Sequence, residues 1–329
     1  MLRILHDTSY DFIRWWKVMA AITIAFIVLG LGSLAIKPLN LSIEFTGGTL
    51  IQLEFNQPPD VGAIRSTLDQ AAIKGAEIQQ FGTNREFTVR AQDPAAVASQ
   101  SKGAEAIAVT IERVLKQKFG ENSLRVVRTE GVGPRVGSEL KRGAITAILL
   151  SFLITLVYLS IRFEWRFATA AVIATSHDVF TTIAFLKLMH LEISLTVVAG
   201  LLTVLGYSLN DTIIIFDRVR ENLRKGRKET LYETLNRSIN ETLPRSVLTH
   251  ATVFAATLSL LIFAGEVIRP FAWVMAFGVV TGTFSSIYVA APVLLWIERK
   301  WPRKTGARQS SSTATPISRT QRSPATATR

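Results

Sequence analysis

Six stretches of this chain combine the length of a membrane crossing with an almost complete lack of charge. They are 18–36, 144–161, 168–186, 193–216, 247–265 and 271–297, each 18 to 27 residues long. A hydrocarbon layer of roughly 30 Å takes about 20 helical residues. One such block can be a buried helix of a soluble protein, but six in one chain indicate a polytopic α-helical membrane protein with six transmembrane helices. Only 19% of the chain is charged, against about a quarter in soluble domains. The first block is longer than an ordinary signal core and has no clear small-x-small cleavage site before Lys37-Pro38, so it is expected to remain as an anchor. The chain has no cysteine, which excludes a disulfide framework, a thiolate metal site and a thiol nucleophile.

The net charge of +12 does not point to nucleic acid, because most of the excess flanks the apolar blocks. Segments 1–17, 162–167, 217–246 and 298–329 hold 21 Lys and Arg, and the loops 187–192 and 266–270 hold 2. The positive-inside rule then places both termini in the cytoplasm. On this reading 1–17 is a cytoplasmic N-terminus and 217–246 a cytoplasmic loop. Residues 298–329 form a basic tail, disordered by its Ser, Thr, Pro and Arg composition.

Residues 37–143 lie between the first two blocks and read as a folded extracytoplasmic α+β domain. A strand is expected over 43–55, interrupted at Gly47-Gly48, then a helix capped by Asp60. Two short strands flank Gly82-Thr83-Asn84-Arg85, a hairpin signal. A helix over 104–119 and a strand over 123–129 complete a βαββαβ order, the ferredoxin-like arrangement. The domain has 14 Lys and Arg against 12 Asp and Glu and no clustered His, so a binding or mechanical module is expected and not an enzyme.

Ionisable side chains inside a span cost about 2.5–3.5 kcal/mol each on insertion scales and are usually functional where they occur. Asp211 follows Asn210 in the fourth block. Stepping back by three or four meets Tyr207, Thr203, Gly200 and Thr196, one small or polar stripe that turns Asp211 into the bundle. Arg245, just after Pro244, opens a matching stripe on the fifth block, and an Asp211–Arg245 pair is expected. Such a carboxylate suits proton loading and release; the alternative is a static ion pair that sets helix packing. His177 and Asp178 are a second intramembrane polar pair, read as accessory. With His250 they fall short of a metal ligand set, so neither metal nor cofactor is expected beyond a proton gradient.

Several motifs together resemble one family. They are Ile43-Glu44-Phe45-Thr46-Gly47-Gly48-Thr49, Val132-Gly133-Pro134 with Glu139-Leu140, Arg162-Phe163-Glu164-Trp165-Arg166-Phe167, His177-Asp178-Val179, and Ser208-Leu209-Asn210-Asp211-Thr212 continuing to Asn222. Over about residues 1–300 the chain resembles the SecF members of the SecD/SecF family, in the resistance–nodulation–division superfamily. Glu44 and Leu209 are mild departures from the usual Asp and Ile. The resemblance implies a partner chain SecD, the SecYEG channel, often YajC, and SecA acting indirectly. It also implies use of the proton gradient to promote late steps of preprotein export at the inner or plasma membrane, with Asp211 and Arg245 as the proton-linked positions. The outer domain would swing about Lys37-Pro38 and 131–143. A half-size exporter of small molecules or lipids is the alternative. An intramembrane hydrolase built on His177-Asp178 lacks an accompanying nucleophile.

Overall fold

The computed structural model describes residues 8–73, 76–91, 102–225, 229–265 and 267–302. Beyond Pro302, the tail expected over 298–329 lies outside the described residues. Six helices are long and apolar enough to cross a membrane: Ile13–Ala35, Pro134–Arg162, Trp165–Leu188, Leu195–Arg224, Leu231–Phe263 and Arg269–Lys300, here spans one to six. The chain is a multi-pass membrane protein. Span six consists of two α-helical pieces, Arg269–Ser285 and Ala291–Lys300, joined by a π turn at Ser286–Ala290.

Most spans extend past their apolar blocks. The segment 217–246, expected as a loop, is largely helix: span four continues to Arg224 and span five begins at Leu231. Hydropathy sees only the lipid-compatible part of a helix. Beyond it, Arg218 pairs with Glu221 and Glu241, both at 2.6 Å, and Lys225 pairs with Glu221 at 2.7 Å. Thr230 and Glu233 form a capping box that starts span five. Pro244, expected at the entrance to this helix, lies well inside it. The N-terminal segment is tied to the same helix. Tyr10 and Asn240 exchange two bonds, of 2.9 and 2.8 Å, and Asp11 accepts from the Tyr232 hydroxyl and the Asn236 amide, both at 2.6 Å.

The domain between spans one and two has the expected βαββαβ order. Its strands are β1 (Gly48–Phe55), β2 (Glu77–Gln80), β3 (Glu86–Ala91) and β4 (Leu124–Val132). They form one antiparallel sheet in the order β2-β3-β1-β4. Asp60 accepts from the backbone N–H groups of Gly62 and Ala63 and starts the helix Val61–Gln70. That helix and Lys102–Phe119 cover one sheet face with a core that includes Ile51, Leu53, Ile64, Leu68, Ile111 and Leu115.

Two local expectations fail. Residues 43–46 are a helical turn, Ile43–Thr46, and not the start of a strand. Gly47 and Gly48, at φ +73° and +122°, change the direction of the chain before β1. The approach is also tight: a Cβ on Gly47 would sit 2.9 Å from Pro134 Cα. Nor is 131–143 irregular chain. Gly131 and Val132 pair with Thr49 and Gly48 in the sheet, and the helix of span two begins at Pro134. Gly133 alone separates them.

Spans three, four and six form the packed centre of the bundle. Gly278 and Gly282 in span six face Val204 and Ser208 in span four, which lets the two backbones approach closely. Spans one and two present apolar flanks, such as Val28 and Leu29, and Leu153 and Ile154, suited to lipid.

Candidate functional site

Two carboxylates, Asp178 and Asp211, lie inside the bundle on neighbouring helices. Asp178 of span three is 0% exposed. Its Oδ2 accepts from Ser208 Oγ of span four and, at 2.6 Å, from Ser285 Oγ of span six. Its Oδ1 lies 3.1 Å from His177 Nδ1. One side chain therefore holds three spans together. Ser285 is the last α-helical residue before the π turn, and the next residue, Ser286, bonds Thr212 of span four at 2.8 Å. π turns inside α-helices recur at functional sites.

Asp211 of span four is 3% exposed. Ser246 Oγ of span five donates to its Oδ1 at 2.5 Å, and its Oδ2 has no hydrogen-bond partner. His250, one turn beyond Ser246, lies 2.6 Å from the Ser246 carbonyl through Nδ1. A carbonyl only accepts, so Nδ1 carries the hydrogen, and Nε2 is the open nitrogen in the neutral ring. The Tyr207 ring meets the His250 ring edge-on at 5.2 Å. Tyr207 Oη and His250 Nε2 are also buried without a partner. Asp211, His250 and Tyr207 thus each bring an open polar atom to one membrane-embedded region, an arrangement that can take up and pass a proton.

The expected residues separate on inspection. Asp211, Asp178 and His177 lie inside, with Tyr207 half-buried beside them, whereas Asn210 is exposed on the outer side of span four. The expected Asp211–Arg245 pair is absent: Ser246 holds one Asp211 oxygen, the other has no hydrogen-bond partner, and Arg245 is exposed. The cause is helical phase. Successive residues lie about 100° apart around a helix, and span five turns Ser246 inward, which leaves Arg245 outside. Sequence reasoning passed over Ser208, Ser246 and Ser285. A serine in an apolar helix is a weak signal until a facing helix supplies its acceptor. Among the described residues no group of three or more His, Asp or Glu gathers as a metal site.

Residues 110–300 match the family described as protein export membrane protein SecD/SecF, C-terminal, and residues 32–59, which include Gly47-Gly48, match the SecD/SecF GG motif. The chain belongs to the SecD/SecF family. Protein translocase subunit SecF of Gemmatimonas aurantiaca is 62% identical over 305 residues, which covers 92% of this chain and 91% of that protein. Its counterpart in Vibrio alginolyticus is 40% identical over 88% of this chain and 90% of its own length. Among solved structures, SecDF of Thermus thermophilus, a translocon-associated membrane protein, superposes with a TM-score of 0.79 at 33% identity. That match covers 91% of this SecD/SecF-family chain and 40% of the SecDF chain, so this chain spans well under half of that protein.

Proposed function

We propose that the chain is an accessory, non-enzymatic subunit of the Sec protein translocase that uses the proton gradient to promote late steps of preprotein export. It works with a SecD-type chain, with SecYEG and YajC alongside and SecA acting indirectly, in the inner or plasma membrane with both termini cytoplasmic. No cofactor is required. The SecF relatives support the export role, and the SecDF structure supports the SecD partner. Exposed Thr203, Gly206 and Asn210 on span four and Arg245 on span five also support a partner, because a polar face of this kind is unfavourable against lipid.

The observation that carries the proton role is the Asp211 carboxyl, buried with one oxygen held by Ser246 and the other open. When neutral it keeps the Ser246 bond. When charged it draws in Arg245, one residue away and about 100° around the helix. Pro244 eases that rotation, because it cannot donate the helical bond to Asn240. The cycle of proton gain and loss thereby turns span five against span four. Asp211→Asn tests this in vesicles carrying the complex. The gradient-stimulated part of preprotein export should vanish while ATP-driven entry continues; a variant that still responds fully to the gradient refutes the role.

A further inference from the structure

The outer domain touches the loop between spans three and four through one buried guanidinium. Arg90 of β3 donates to Glu192 Oε1 at 2.5 Å, to Glu77 Oε2 at 3.0 Å, to the Leu41 carbonyl at 3.0 Å and to Asn40 Oδ1 at 3.4 Å. Its side chain is only 11% exposed. The strap before the domain is stitched to the same loop by main-chain bonds: Ile193 N donates to Asn40 O at 2.7 Å and Ser42 N to Ile193 O at 2.9 Å.

The charges at this contact do not balance. Glu77 of β2 and Glu192 share the single Arg90 guanidinium, and Glu44 of the strap adds a further charge of the same sign. The other basic groups nearby are committed elsewhere. Arg128 is bound to Glu130. Lys187, at the end of span three, donates to the carbonyls of Lys37 and Pro38 at 2.6 and 3.1 Å. His190 Nδ1 lies 3.1 Å from the Leu188 carbonyl in its own turn. Glu44 is engaged with the Leu195 N–H at 2.6 Å and Ser42 Oγ at 3.2 Å.

We infer that Arg90 and Glu192 form a proton-linked clasp, in which docking of the outer domain on the span three–four loop takes up a proton at Glu192 and is strengthened by acid on the domain's side of the membrane. Desolvation by burial pushes the Glu192 carboxyl above its usual range, the neighbouring carboxylates add to this, and Arg90 offsets only part of it. The sign follows from linkage. A carboxyl whose acidity is weakened in the docked form binds more protons there than in the released form, so docking weakens as pH rises. The clasp does not involve Asp211, and its test requires no translocation.

The chain has no native cysteine, so a spin-label pair can be placed at Gln79→Cys on β2 and Met189→Cys beside the loop, both exposed. Distances would be measured by double electron–electron resonance on the full chain in nanodiscs. The ratio of docked to released populations should rise as pH falls from about 8 to about 5. Glu192→Gln, a permanently neutral side chain of the same shape, should remain docked at both, and Arg90→Gln should lose the docked population at both. A wild-type ratio that does not change with pH, or a Glu192→Gln ratio that follows the wild-type curve, overturns the inference.

Discussion

Gly278 is the position at which the centre of the bundle tolerates least. A Cβ there would lie 2.2 Å from Val204 Cγ2 and 2.6 Å from Cγ1. Carbon atoms rest at about 3.5–4.0 Å, so Gly278→Ala requires spans four and six to part by about 1.3 Å or more. Rotation of Val204 offers no escape, because both γ carbons stand in the way and a β-branched side chain in a helix has one strongly preferred rotamer. Overpacking of this kind costs about 1–3 kcal/mol. At about 2 kcal/mol, the folded-to-unfolded ratio falls roughly 30-fold. Thermal unfolding in detergent or nanodiscs can measure this for Gly278→Ala, Val204→Ala and the double variant. Val204→Ala removes both γ carbons and leaves its Cβ 3.0 Å from the new methyl, so the double variant should recover most of the loss. Gly206→Ala is the control, since nothing lies within 4 Å of a Cβ there. If Gly278→Ala melts with the wild type, or the double variant is no better than the single, the close approach does not govern the bundle.

Asp178→Ala should be more damaging than Asp178→Asn. Alanine strands the buried Ser208 hydroxyl at roughly 1–3 kcal/mol and leaves Ser285 only its bond to the Gly282 carbonyl at 3.1 Å, whereas asparagine retains one acceptor oxygen; equal melting of the two variants would remove Asp178 from its bridging role. At the N-terminal segment, the Tyr232 hydroxyl holds the Asp11 carboxyl below its usual range, helped by the Asn236 amide. A depressed carboxyl stabilises the fold above its ordinary titration range, and that contribution is lost as pH falls through the folded value. Acid should therefore lower the hydrogen-exchange protection factors over residues 10–15, taken against the intrinsic rate at each pH, and Asp11→Asn should show lowered protection already at neutral pH; a segment equally protected under every condition would disprove the tie.

What the sequence made legible is what depends on period and composition. Six apolar blocks indicated six spans, and the alternation of strand and helix signals indicated the order of the outer domain. Asp211 does face inward, but of the stripe read with it only Gly200 is buried and Tyr207 half-buried, while Thr203 and Thr196 are exposed. What stayed hidden depended on a facing surface. Arg245 and Ser246 are neighbours in sequence, and only the rotational phase of span five decides which of them meets Asp211. Ser208 and Ser285 become donors only because Gly278 and Gly282 bring span six against span four. Residues 43–46 carry strand-like side chains, yet Gly47, Gly48 and the start of span two fold them into a turn. Helix ends were missed for a related reason, since polar turns beyond the lipid are held by ion pairs that hydropathy does not register.

The join at Gly133 has a mechanical consequence. With one residue between β4 and span two, the sheet is mounted on a rod of 29 residues, about 44 Å at 1.5 Å per residue. A tilt of roughly 5° at the buried end carries the other end through about 4 Å by that same length. The second membrane helix therefore works as a lever arm, in which small angular changes deep in the lipid are geared up into travel at the water-exposed tip.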